Sequence, residues 1–141
     1  MGYLYTSLPF LLLGLIFFTA TILPGSLAGQ IILASSVLLG FWAIWAFRHT
    51  RINVFPYLPE GARLIRKGPY RFVRHPMYTA VLLFVLAYWV DQPGLIYSAY
   101  LLALLLVIIL KIRFEESQLI AGFENYESQF YRTYRIIPCV Y

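Results

Sequence analysis

Charge is scarce in this chain, and its first third has none: from Met1 to Phe47 no Asp, Glu, Lys or Arg occurs. Only 12% of the residues are charged, against roughly a quarter in a soluble domain. An ordinary water-facing surface cannot be covered with so little. Cysteine is nearly absent too. The single Cys139 excludes an intrachain disulfide, and the ending Cys139-Val140-Tyr141 is one residue short of a prenylation box. That cysteine and two histidines, His49 and His75, form no zinc-ligand spacing, so no metal is expected. Neither a serine-nucleophile motif nor a phosphate-cradling glycine loop occurs. The start MGYLYTSLPF lacks the basic residues of a cleaved signal peptide, so the apolar stretch behind it is expected to stay as a membrane span.

Apolar residues fill the space that charge leaves, making up 61% of the chain in four runs separated by LPGSLAGQ, a long basic segment and DQPG. The expected fold is all-α: one domain over 1–141, a polytopic membrane bundle of four spans at about 3–23, 30–47, 73–90 and 95–112. The third run is short, and Pro76 is placed to open its helix. Arg48, Arg51, Arg63, Arg66, Lys67, Arg71 and Arg74 lie between the second and third runs, and Lys111, Arg113, Arg132 and Arg135 follow the fourth. The opposite loops carry no Lys or Arg, so the N-terminus, the basic loop and the C-terminal segment are expected in the cytoplasm. Ile112, Leu119, Ile120, Phe123, Tyr126, Phe130 and Tyr134 recur at helical spacing, which predicts a C-terminal amphipathic cytoplasmic helix. Glu115 and Glu116 fall on or beside that apolar stripe and need partners there.

Chemistry concentrates in KGPYRFVRHPMY, Lys67 to Tyr78. His75 is a potential N-cap before Pro76, its ring near the free N–H groups of the helix start. Gly61 and Gly68 offer close backbone approach to a ligand, and Tyr70, Phe72 and Tyr78 offer aromatic faces. Two plain alternatives stand beside a ligand site. Arg-His-Pro can be an interfacial anchor, and the glutamates can pair with Arg113, Arg74 or Arg71.

GPYRFVRHPMY followed by a Glu-Glu helix resembles the isoprenylcysteine carboxyl methyltransferase and phospholipid methyltransferase superfamily, over about Ala62 to Pro138. The resemblance implies an integral membrane enzyme using S-adenosyl-L-methionine, with cytoplasmic cofactor segments at about 60–78 and 111–138. It implies cofactor contacts from Ala62, Arg63, Leu64, Ile65, Tyr70, His75, Pro76, Met77, Tyr78 and Glu115. Lys111 stands where the carboxyl methyltransferase branch has an arginine that contacts the acceptor.

The expected reaction moves a methyl group to a lipid-like or isoprenylated acceptor reached sideways from the bilayer, with Lys111 and Arg113 facing an anionic head. A carboxylate acceptor needs no base; for an amine, Glu116 or His75 is the first choice. The expected partners are a membrane lipid or lipidated molecule and the bilayer, with no nucleic acid. Two rival readings are an NADPH-dependent sterol or steroid reductase and a non-enzymatic protein whose arginine-rich loop binds anionic lipid.

Overall fold

The computed structural model describes residues 14, 23–48, 66–124, 126–130 and 133–137. Apart from Gly14 and Leu23, the expected first span at 3–23 lies outside them. Among the described residues the regular elements are helical: α1, Leu27–Phe47; a 3-10 turn, Gly68–Arg71; α2, Pro76–Asp91; α3, Leu95–Gly122; and α4, Tyr126–Phe130. No strand forms among them, and Val73 meets Tyr134 as an isolated parallel bridge.

Helix α1 starts where its sequence offers a cap, the Ser26 hydroxyl accepting the Gly29 N–H at 3.1 Å. By length and composition α1 and α3 are long and apolar enough to cross a membrane. Helix α2 has 16 residues, about 24 Å, short of the roughly 30 Å hydrocarbon core. It begins at Pro76, as a proline at the first helical position favours.

The helices α1 and α2 run antiparallel. At one end the Asp91 carboxylate accepts the N–H groups of Gly25 at 3.0 Å and Ser26 at 2.6 Å. In the middle Ser36 Oγ donates to the Ala80 carbonyl at 2.8 Å, which satisfies a buried hydroxyl. A Cβ on Gly29 would lie 2.7 Å from Pro24 Cβ and 3.0 Å from the Ala87 carbonyl oxygen. Glycine therefore lets these backbones close up, the kind of packing that holds helices together where lipid removes the hydrophobic drive.

Helix α3 returns against α2, with Trp89 Nε1 donating to Ser98 Oγ across the turn at 2.9 Å. Their core is Val85, Leu104, Ile108 and Ile112, joined by Ile136 from the C-terminal segment. The expected boundary between a fourth span and a separate tail helix is replaced by one 28-residue rod. Nothing from Leu110 to Ala121 is Gly or Pro, so propensity carries the helix on to Gly122. Phe123 then turns extended, at φ −132° and ψ 106°, and α4 follows with five residues. Tyr134, expected on the same helical stripe, instead sits in the bridge to Val73.

Candidate functional site

The site forms where the start of α2, the middle of α3 and residues 133–137 meet. Gly68 precedes it with φ +58°, a left-handed conformation that suits glycine. A Cβ there would lie 3.1 Å from Trp42 Nε1 and 3.2 Å from Ala46 Cβ. The glycine thus lets the turn pack closely on α1; Gly61 lies outside the described residues. Pro69 and Tyr70 of the 3-10 turn are buried, Tyr70 against Ala43. Burial first, and the Glu115 charge second, push the Tyr70 hydroxyl up to about 12, so it stays a neutral phenol.

His75 holds the N-cap position of α2, but its side chain makes no capping hydrogen bond. The backbone fixes the residue instead. Its carbonyl accepts the N–H groups of Tyr78 at 3.0 Å and Thr79 at 3.2 Å, and its own N–H donates to the Arg135 carbonyl at 3.0 Å. The imidazole stacks on Tyr78, with centroids 5.5 Å apart and planes 19° from parallel. It lies between the two glutamates, Nδ1 at 3.8 Å from Glu115 Oε2 and Nε2 at 3.7 Å from Glu116 Oε1. Both separations exceed hydrogen-bond length. Nε2 is buried and has no hydrogen-bond partner among the described residues.

The two carboxylates are occupied differently. Glu115 Oε1 accepts the Tyr78 hydroxyl at 2.7 Å, and the buried Lys111 ammonium lies 3.7 Å from the same oxygen. Glu116 sits between guanidiniums, Oε1 3.1 Å from Arg74 Nη1 and Oε2 2.8 Å from Arg135 Nε. Burial alone would raise the Glu116 carboxyl. The His75 ring and the hydrogen bond and charge of Arg135, with the charge of Arg74, outweigh it and hold the group at about 2. Arg74 also donates through Nε to the Thr133 carbonyl and hydroxyl, each at 3.2 Å, and through Nη2 to the Phe130 carbonyl at 2.8 Å.

Of the residues singled out in the sequence, the fold gathers Tyr70, His75, Pro76, Tyr78, Lys111, Glu115 and Glu116. Met77 is 39% exposed and joins none of these contacts. Arg113 is exposed and also joins none, because two helical steps from Lys111 carry it to about the opposite face. Ala62, Arg63, Leu64 and Ile65 lie outside the described residues. Arg135 was missed as a site residue. Its one signal in the sequence was that a carboxylate pair on an apolar stripe needs cations.

A family model described as phospholipid methyltransferase matches residues 24–126. The chain belongs to the phospholipid methyltransferase family. The resemblance read from the motif is thus borne out at the level of the family. The matched region includes His75, Tyr78, Lys111 and both glutamates of this phospholipid methyltransferase family member, and stops before Arg135. The chain is also similar to the uncharacterized protein YpbQ of Bacillus subtilis (strain 168), at 33% identity over 72 residues. That match covers 49% of this chain and 38% of the relative, so well under two thirds of the relative's length is spanned. No solved structure gives a significant match.

Proposed function

We propose that this protein is a membrane methyltransferase that uses S-adenosylmethionine to methylate a lipid-like acceptor. Membership of the phospholipid methyltransferase family supports methyl transfer at a membrane, and two helices have the length and composition to cross one. The observation that carries the cofactor reading is the His75 imidazole. Buried polar atoms are nearly always hydrogen-bonded. A ring whose side chain is 10% exposed, with Nε2 unpartnered beside a stacked tyrosine, fits a ligand that brings a polar atom and a flat base.

In this reading His75, Pro76, Met77, Tyr78, Tyr70 and Glu115 hold the cofactor, together with the 62–65 segment. S-adenosylmethionine, when bound, supplies a methyl group already activated on a sulfonium. The chain's own tasks are then to orient and to exclude water. Glu115 brings the negative charge that suits a cationic donor. Glu116, a carboxylate held at about 2, is too weak a base for an amine and acts instead as a positioning group. If the acceptor is an amine, His75 is the group left to take its proton; a carboxylate acceptor needs none. Lys111 offers the acceptor head a buried ammonium, and Arg113, on the exposed face, is left out.

The proposal keeps one domain over 1–141 with four spans, the N-terminus, basic loop and C-terminal segment in the cytoplasm. The experiment is titration of the purified protein in mild detergent with S-adenosylhomocysteine and NADPH, followed by transfer of a labelled methyl group into a membrane lipid extract. Binding of S-adenosylhomocysteine and label in the lipid fraction are expected. Binding of NADPH alone would overturn the reading in favour of a reductase, and salt-sensitive lipid binding with neither ligand would favour a lipid-binding protein.

A further inference from the structure

We infer that Arg135 and Arg74 are positioning residues that hold Glu116 away from His75, keeping the imidazole Nε2 open for a ligand. The ligand half of this inference rests on the cofactor reading above. Glu116 Oε1 stands 3.7 Å from Nε2, only about 0.5 to 1 Å beyond a normal hydrogen bond. A small side-chain rotation would close that gap and use up a buried nitrogen that has no hydrogen-bond partner among the described residues.

What opposes the rotation is that each oxygen is already held by a guanidinium. Arg74 Nη1 holds Oε1 at 3.1 Å and Arg135 Nε holds Oε2 at 2.8 Å. The Arg74 guanidinium is fixed by Thr133 and the Phe130 carbonyl. Arg135 is fixed at its backbone, where its carbonyl accepts the His75 N–H at 3.0 Å. The same residue therefore grips His75 through its backbone and pulls Glu116 from that ring through its side chain.

The segment that carries Arg135 is docked on both sides. The Tyr134 carbonyl accepts the Arg74 N–H at 2.7 Å, and Thr79 Oγ1 donates to the Ile136 carbonyl at 2.8 Å, with Ile136 itself 2% exposed in the core. If the Arg135 cation is removed, a buried carboxylate keeps one guanidinium and must recover the lost interaction nearby. The unpartnered Nε2, 3.7 Å from Oε1, is then within reach to supply it.

The test uses full-length protein in detergent with histidine imidazoles labelled with nitrogen-15, His75 being assigned against a His49→Gln control. Three variants are compared with the wild type: Arg135→Gln, Arg135→Lys and the double variant Arg135→Gln with Glu116→Leu. In ligand-free Arg135→Gln the Nε2 resonance is expected to move into the hydrogen-bonded range, and S-adenosylhomocysteine to bind about tenfold more weakly. Arg135→Lys keeps both properties near wild type. The double variant returns the resonance and recovers most of the affinity, since leucine cannot capture the ring. A purely structural role predicts a double variant at least as weak as the single one, and that result, or an unmoved Nε2 resonance in Arg135→Gln, overturns the inference. Wild-type protein that binds no S-adenosylhomocysteine would overturn the cofactor reading instead, and the ligand-free resonances would still decide the clamp.

Discussion

The two ends of α2 meet carboxylates to opposite effect, its own Asp91 at one end and Glu115 and Glu116 of α3 at the other. At one end Asp91 accepts two backbone N–H groups, from Gly25 and Ser26, at the threshold of α1. Those hydrogen bonds hold it below its ordinary value, and the arrangement ties a helix end to a loop. At the other end Glu115 and Glu116 take hydroxyl, ammonium and guanidinium partners from α2, α3 and residues 74 and 135, yet one buried ring nitrogen between them is left over. A carboxylate that closes its own accounts makes a joint. A cluster that leaves a buried ring nitrogen without a hydrogen bond among the described residues makes room for something else.

The comparison can be broken most forcefully at Arg74. Arg74→Ala strips Glu116 of one cation and frees the Phe130 and Thr133 acceptors, so a stability loss of about 3 kcal/mol is expected in detergent unfolding. A loss within error of zero would mean that the cluster holds no more than a surface ion pair does. His75→Phe sharpens the contrast in the other direction. It keeps an aromatic ring against Tyr78 and removes an unsatisfied buried nitrogen together with the ring's pull on Glu116, so stability is expected to stay within about 1 kcal/mol of wild type while ligand binding is lost.

Acid gives a graded version of the same test. Glu116 has an ordinary value of 4.5 and a folded value of about 2, so its stabilisation is full above about pH 5 and is lost as pH falls from 4.5 towards 2. The stability gap between wild type and Glu116→Gln, followed by unfolding at stepped pH, should narrow over that window. A gap that stays constant would place the Glu116 effect outside its ionisation. The smallest effect is expected at the opposite end. Asp91→Asn should lower the unfolding temperature slightly and leave S-adenosylhomocysteine affinity within about twofold, because its hydrogen bonds among the described residues run to Gly25 and Ser26, at the end of α2 away from His75.

The sequence made the helical class legible through its apolar runs, and the start of α2 through Pro76. His75, Tyr78 and the glutamates were readable because charge is so scarce that each polar group in an apolar setting stands out. The extent of α3 was not. A span and a tail helix with no Gly or Pro between them have no local boundary, so a reading of apolar runs divides what the backbone joins. Arg135 was hidden for a related reason. It reaches Glu116 because residues 133–137 lie along residues 72–75, a long-range pairing without local periodicity. Gly68 was legible as a special backbone position, but the sequence did not say that Trp42 of α1 would be its close neighbour.

The central claim is that the unpartnered His75 nitrogen belongs to a nucleoside-cofactor site. Calorimetric titration of S-adenosylhomocysteine into wild type, His75→Phe and Asp91→Asn in the same detergent tests it most directly. The account predicts binding to wild type and Asp91→Asn with similar affinity, and at least about tenfold weaker binding to His75→Phe. Equal affinity for wild type and His75→Phe, in protein that unfolds normally, would contradict it.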